Sequence, residues 1–506
     1  MTMLLLESKP RSKYDLKNIA GWFTIVVIIL CVFVMIWSSL RHNHIYSKEY
    51  LRFLDEYPGY GYSQLSSGLY LIDTVRQELF HNLKSYVYLD NTASLMAPTD
   101  NFDHSLHFFK THFLANPHSA VGNSISPSTK TDAEVDVTRE KIAKMFGINT
   151  KNYTIAFTSG ATGALHLIGE SFNWTNNSLF IVCRFNHLSV IGIRELAKDR
   201  GAAYIALLPD EILPFLTANA TNYDTILVGM PVASNFDGSL WLEDFFAPLR
   251  QFSNVNVLAD VAAYVPSHKL DISTFPADFF AVSFYKMVGY PTGVGVMICN
   301  TNVANRALRK RYFGGGTVKF VNPQTDDIVF SKSTPYRRWE DGTINFYDAA
   351  ALSIGIDHFN WLGVDRINNH TFSLADYTRD ILGNLVHSNG SPMVYLYKSP
   401  SSNPRQASII SFQVLNKTGY AVDPKIVNDA LLDNYIVTRK GAHCNYGSAL
   451  YFNNEWDGLC TKPRTHEFPG VRGGCPFGVV RVSIGAYNTF NDVRIMLVTL
   501  EKEFKQ

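Results

Sequence analysis

Lys286 stands in SFYKMVGYPTGVG (283–295), between an apolar run and a glycine-rich turn, with Phe284 and Tyr285 on its N-terminal side. A lysine desolvated at a strand end has a lowered pKa and can condense with a carbonyl carbon as a Schiff base. A surface lysine whose stem covers apolar neighbours is the plain alternative. Further upstream, Asp260 closes the apolar run VNVLAD. A buried carboxylate is costly unless paired, so Asp260 either faces a cation in a crevice or caps local structure. FTSGATGAL (157–165) places a turn at Gly160 ahead of a helix. The free N–H groups of that helix start, beside the hydroxyls of Ser159 and Thr162, make an anion site suited to phosphate, although a simply capped helix would read the same way. A phosphate cradle, a strand-end carboxylate and a strand-end amine match the phosphate, ring nitrogen and aldehyde of pyridoxal 5'-phosphate.

These residues need a scaffold that gathers strand ends. From SYVYLDNTASL the chain alternates short apolar runs with helical patterns. Strand candidates are NYTIAFTSG, SLFIVCRF, AAYIALL, YDTILVGMPV, VNVLADVAA, DFFAVSFYK and GVGVMIC. Such alternation implies an α/β domain around a mainly parallel sheet, where ligands bind beyond the carboxyl ends of the strands. From about residue 385 the pattern changes to SIISFQVLN, an amphipathic PKIVNDALLDNYIV, then GVVRVSIGAY and a closing helix, as expected of a smaller α+β domain. The expected organisation is a tail (1–17), a transmembrane helix (18–40), a connecting segment (41–85), a large cofactor-binding domain (86–384) and a small C-terminal domain (385–506).

The 506 residues carry 45 basic and 44 acidic side chains, so no global field attracts nucleic acid, and specific pockets must carry the function. Residues 18–40, NIAGWFTIVVIILCVFVMIWSSL, hold no charge, and Trp22 and Trp37 lie near the two ends. A helix of ~20 apolar residues crosses a bilayer, so a retained single span near the N-terminus is expected, with a cleaved signal peptide as its rival. Four basic residues before the run and three after it vote weakly for a cytoplasmic N-terminus, and triplets such as NWT and NKT fit a body on the far side. The facing side stays open. Six cysteines are too few for a disulfide scaffold and show no C-x-x-C pair; Cys460 and Cys475 could form one local bridge.

Through YLDNTASL, FTSGATGAL, FNHLSVIGIREL, SNFDG, DVAAYVP, SFYKMVGYPTGVG, RYFGGGTV, EDGTINF, GAHCNYG and GVVRVSIGAYNT, residues 86–500 resemble the class V aminotransferase-like enzymes of the aspartate-aminotransferase fold. Within them, the chain resembles the cysteine desulfurases and, most of all, the cysteine desulfurase-like N-terminal domain of molybdenum cofactor sulfurases. The resemblance implies that Lys286 binds the cofactor aldehyde and shuttles the substrate's α-proton. It implies that Asp260 keeps the pyridine nitrogen protonated, His187 stacks on the ring and Asn235 contacts the phenolic oxygen. Thr162 and Ser283 would bind the phosphate, joined by Thr343 of a second subunit, which implies a homodimer. Arg481 would receive a substrate carboxylate, a task suited to a planar bidentate donor; a solvated strand arginine is the alternative. Cys444, which follows Arg439, Lys440 and His443 in a setting that favours a thiolate, would take sulfur from L-cysteine as a persulfide and release alanine. A small buried thiol is the plain reading of the same residue.

Tyr285 stands where many cysteine desulfurases have histidine, and Ala263 where they have glutamine; both point to the sulfurase branch. Asn91 replaces a histidine usual in that branch, and GAHCNYGSAL has no second cysteine nearby. Sulfurases of that branch often continue into a β-rich domain that binds the molybdenum cofactor, so the sulfur acceptor is left unassigned. The leading expectation is a membrane-anchored sulfurtransferase acting on L-cysteine or a related amino acid. Another reaction of the same cofactor class (transamination, elimination or epimerisation) and a catalytically idle scaffold are the alternatives.

Overall fold

The computed structural model describes residues 48–119, 124–330, 335–397, 406–454 and 478–506. Residues 18–40, Cys31, Cys460 and Cys475 lie outside them. Among the described residues no helix is long and apolar enough to cross a membrane. The chain before Gly59 is a separate unit, of which residues 48–58 are described and hold the helix Lys48–Glu56. Everything below concerns the second unit, Gly59–Gln506.

Its centre is a seven-stranded sheet built from Tyr153–Thr158 (β1), Ser178–Cys183 (β2), Ala203–Leu207 (β3), Thr225–Pro231 (β4), Val255–Asp260 (β5), Phe279–Ser283 (β6) and Gly295–Asn300 (β7). Each coincides with an apolar run expected to be a strand. The order across the sheet is β1-β7-β6-β5-β4-β2-β3. Only β7 runs against its neighbours, so the sheet is mainly parallel, as the alternating pattern implied. Strands β2, β5 and β6 are buried along their whole length. That explains their continuous apolar composition: helices cover both faces of a parallel sheet, leaving no solvent face to demand alternation. The helix Gly160–Ser171 lays Ala161, Ala164, Leu165 and Ile168 on the sheet, against Phe180, Leu258, Phe279 and Met297. Each such large apolar side chain contributes ~1.5–3 kcal/mol on burial.

A second, antiparallel sheet has the order β8-β9-β11-β10, from Val394–Leu396 (β8), Ile409–Val414 (β9), Arg439–Gly441 (β10) and Val479–Ser483 (β11). The helices Pro424–Asp433 and Phe490–Phe504 accompany it. A short parallel pair, Val87–Tyr88 with Ile436–Val437, ties the start of this unit to its C-terminal part. The segment read as a connector is structured after Gly59. Its helix Leu71–Leu79 sets Arg76 3.4 Å from Asp492 and over the Phe80 ring.

Candidate active site

The ends of β1, β5 and β6 and one turn supply the residues around which the site is built. At the end of β1, Gly160 adopts φ +70°, a left-handed conformation that only glycine takes without strain, and the chain enters its helix directly. The Ser159 side chain makes no capping bond there. Instead Ser283, at the end of β6, accepts the Ala161 N–H at 2.8 Å. Thr162 Oγ1 and Ser189 Oγ are 2.8 Å apart, and Ser189 is also 3.0 Å from His187 Nδ1. The Ser189 backbone N–H donates to the same nitrogen at 3.2 Å, which makes Nδ1 an acceptor and leaves the ring proton on Nε2.

Asp260 ends β5, buried, with Oδ1 accepting the Ala262 N–H at 3.0 Å. It forms an ion pair with no cationic side chain among the described residues. A dry carboxylate without a cation of its own is a vacancy for one. Lys286 sits in the short helix Tyr285–Val288 immediately after β6. Burial lowers its pKa, Asp260 opposes that, Arg481 and Arg439 add to it, and Cys444 opposes it. The His187 pKa is lowered as well, first by burial, with Asp260 opposing. Lys286, Asp260, His187, Asn235, Thr162 and Ser283 all line one open cavity of about 490 Å³ of empty space, mouth included. Ring-sized room, the unpaired carboxylate and the hydroxyls at the helix start together fit pyridoxal phosphate.

Cys444 is exposed, and both it and His443 have positive φ, +57° and +55°. Non-glycine residues held there cost of order 1 kcal/mol each, and such strain collects at functional turns. The turn is fastened to the cavity wall. Asn235 Nδ2 donates to the His443 carbonyl at 2.7 Å, Asn445 Nδ2 donates to Asn235 Oδ1 at 3.1 Å, and Leu188 N–H donates to the Cys444 carbonyl at 2.8 Å. Asn235 is therefore largely committed to this turn, with one N–H left for a ligand. His443 is not the extra cation its place in the sequence suggested. It is buried, neither ring nitrogen has a hydrogen-bond partner among the described residues, and burial holds its pKa well below the usual value.

Arg481 lies in β11, almost completely buried. Its Nη1 donates to the Asn235 carbonyl and its Nη2 to Asp90 Oδ1, each at 2.7 Å, while Nε has no partner. Arg439 of β10 is its cross-strand neighbour and lies 3.5 Å from Asp90 Oδ2. Two like charges directly opposite repel, and Asp90 between them relieves that.

The fold thus brings together every expected site residue except Thr343. That residue lies on the turn before the helix Phe346–Leu362, its hydroxyl accepting from Asn116 Nδ2 at 3.1 Å, and it is not among the residues lining the cavity. Asp90, Arg439, Ser189 and Asn445 were not singled out as site residues from the sequence. Asp90 follows an apolar run, YVYLD, just as Asp260 does, and that signal could have found it.

The profile of the class-V aminotransferase family matches residues 87–496. Bovine molybdenum cofactor sulfurase is 32% identical over 475 residues, covering 87% of this chain and 52% of that protein. The human molybdenum cofactor sulfurase is 32% identical over 457 residues, covering 84% and 50%. The chain therefore spans about half the length of these relatives. Among solved structures, a cysteine desulfurase of Thermococcus onnurineus superposes with a TM-score of 0.69 at 21% identity, covering 85% of this chain and 98% of that one. A cysteine desulfurase of Escherichia coli superposes with a TM-score of 0.67 at 20% identity, covering 86% and 98%.

Proposed function

Because this chain belongs to the class-V aminotransferase family, we propose that it is a sulfurtransferase that takes sulfur from L-cysteine onto Cys444 and releases alanine. It is a pyridoxal-phosphate-dependent enzyme. Bound in the cavity, that cofactor supplies an electron sink for the bonds at the substrate Cα. Lys286 would hold the aldehyde carbon and, as a neutral amine, take and return the proton at Cα. Asp260 would keep a proton on the ring nitrogen, and the His187 ring would lie along the ring face. The helix start at Ser159 and Gly160 and the hydroxyls of Thr162 and Ser283 would hold the phosphate, with Thr343 of a second subunit completing it. The free N–H of Asn235 would reach the phenolic oxygen.

Arg481, oriented by Asp90 and the Asn235 carbonyl, keeps Nε and its outer N–H groups for the substrate carboxylate. The Cys444 thiolate would attack the substrate sulfur: an S–S bond forms, the Cβ–S bond breaks, and Lys286 returns a proton to carbon so that alanine leaves. The persulfide would pass to a separate acceptor that reaches the exposed turn. The observation that carries this reading is that Lys286 and Asp260 line one cavity together with Asn235, whose amide donates at 2.7 Å to the His443 carbonyl, so the turn bearing the Cys444 thiol is bonded to the wall that carries the amine and the carboxylate. The enzyme would act as a homodimer, anchored to a membrane through residues 18–40.

The test is direct. Holoenzyme given L-cysteine labelled with ³⁵S should yield alanine and a reductant-releasable label on Cys444. Alanine without label on that residue would refute the transfer role, and turnover of other amino acids alone would favour a different reaction of the cofactor.

A further inference from the structure

A path of hydrogen bonds joined by short covalent steps leads from the aromatic segment Tyr60–Gly61–Tyr62, which does not line the cavity, to Arg481. It begins at His370, fully buried in the helix Val364–Asn384. The Gly61 N–H donates to His370 Nδ1 at 3.0 Å, which makes that nitrogen an acceptor and places the ring proton on Nε2, 2.9 Å from the Asn488 carbonyl. The bond accepted by Nδ1 requires a neutral ring, and burial pushes the His370 pKa down to about 4. Tyr62 stacks on the same imidazole, ring centroids 4.8 Å apart, and its hydroxyl donates to the Ala486 carbonyl at 2.6 Å. The Phe490 N–H donates to the Tyr60 hydroxyl at 3.1 Å. Three successive residues thus fasten the turn 485–490 at Ala486, at Asn488 and at Phe490.

The segment pays for this in backbone strain. Gly61 has φ +83°, and a Cβ there would lie 2.4 Å from the Tyr70 ring; Tyr62, with a full side chain, has φ +69°. A tyrosine held left-handed persists where its surroundings over-determine it.

From the turn the path continues inward. The Asn488 amide oxygen accepts from Asn91 Nδ2 at 2.9 Å and from the Gly485 N–H at 2.8 Å, and its Nδ2 donates to the Tyr88 carbonyl at 2.8 Å. Asn91 Nδ2 also donates to the Ser483 carbonyl, and the Ser483 hydroxyl accepts the Thr92 N–H, each at 2.9 Å. Between Tyr88 and Asn91, held on either side, stands Asp90, whose carboxylate orients Arg481. We propose that Tyr62 and His370 are positioning residues: they clamp the turn 485–488 and, through Asn488 and Asn91, hold Asp90 where it orients Arg481 for an amino-acid carboxylate. The proposal rests on the reading of Arg481 as the carboxylate receiver; it does not depend on which reaction follows.

The test compares wild-type holoenzyme with Tyr62→Phe, which keeps the stacked ring and loses the bond to Ala486, and with His370→Gln, which can rebuild one of the two bonds. Backbone hydrogen exchange at 483–490 and 88–92 is read alongside titration of the cofactor absorbance with L-cysteine, L-alanine and the carboxylate-free amine cysteamine. Expected in Tyr62→Phe is exchange faster by about fivefold at those two stretches, the equivalent of one net hydrogen bond. Half-saturation by the two amino acids should weaken by a similar factor, with cysteamine unchanged and the cofactor still bound. His370→Gln should shift the same readouts in the same direction. Unchanged exchange at 483–490 and 88–92 in Tyr62→Phe overturns the clamp, as does equal weakening for cysteamine, which would mark general destabilisation. A wild type that binds amino acids but forms no persulfide would sink the sulfur reading and leave this one standing.

Discussion

Asp260 and Lys286 illustrate how little a residue's type says until its partners are counted. Asp260 is a buried acid that forms no ion pair among the described residues, and Lys286 is an amine whose charge burial opposes. Placed on one cavity, they fit the two ends of one cofactor ring. Three outcomes follow at this scale. Lys286→Ala should leave no cofactor attached after borohydride reduction, checked by intact mass, and should cost ~10²–10⁴ in turnover as the proton carrier is lost. Asp260→Asn should keep the attachment and lower kcat by about 100-fold, as the fixed charge opposite the ring nitrogen disappears. Cys444→Ser should bind L-cysteine with an unaltered spectral change and carry no sulfur label.

At the scale of elements, two buried polar contacts decide how the pieces hold. Arg139, in the helix Pro127–Met145, grips Glu340 through Nη2 at 2.5 and 2.7 Å, and Glu340 also accepts the Phe157 N–H of β1 at 2.8 Å. Glu340 lies three residues before Thr343, so this pair anchors the segment on which the expected phosphate ligand sits. Arg139→Met would strand a buried carboxylate, and we expect a stability loss of about 3–5 kcal/mol by denaturant titration, partly recovered on adding Glu340→Gln. His370 ties its helix to the turn 485–488. Its folded pKa of about 4 lies below the ordinary 6.5, so the unfolded chain binds the extra proton more readily. The resulting loss of stability is absent above about pH 6.5, grows as pH falls, and is complete near pH 4, at about 3 kcal/mol for this one ring. Thermal unfolding of wild type and His370→Gln across that window should show the substitution flattening the acid limb.

At the scale of the whole molecule, the readings that remain are about assembly. A homodimer predicts sedimentation at twice the chain mass, and a Thr343→Ala dimer that loses cofactor faster on dialysis. A retained apolar span at 18–40 predicts that the full chain stays with membranes through alkaline carbonate washing. Release into the supernatant would refute the anchor.

The seven strands of the central sheet were legible in the sequence because each is a short apolar run, and in β2, β5 and β6, buried along their whole length, burial writes itself into composition. Lys286, Asp260 and Gly160 were legible because a parallel sheet sends its chemistry to the carboxyl ends of its strands. The role of Arg439 was not, since it arises from pairing β10 with β11, whose central residues are over forty positions apart in the chain. Nor was the docking of Tyr60 to Tyr62, whose stretch GYGY reads as a linker until His370, 309 residues beyond Gly61, gives its backbone a partner. Local periodicity and residue chemistry thus determined which elements form and which side chains could react. Hydrogen bonds between distant segments, which have direction and leave no trace in composition, decided which charges face one another and which arginine stays poised.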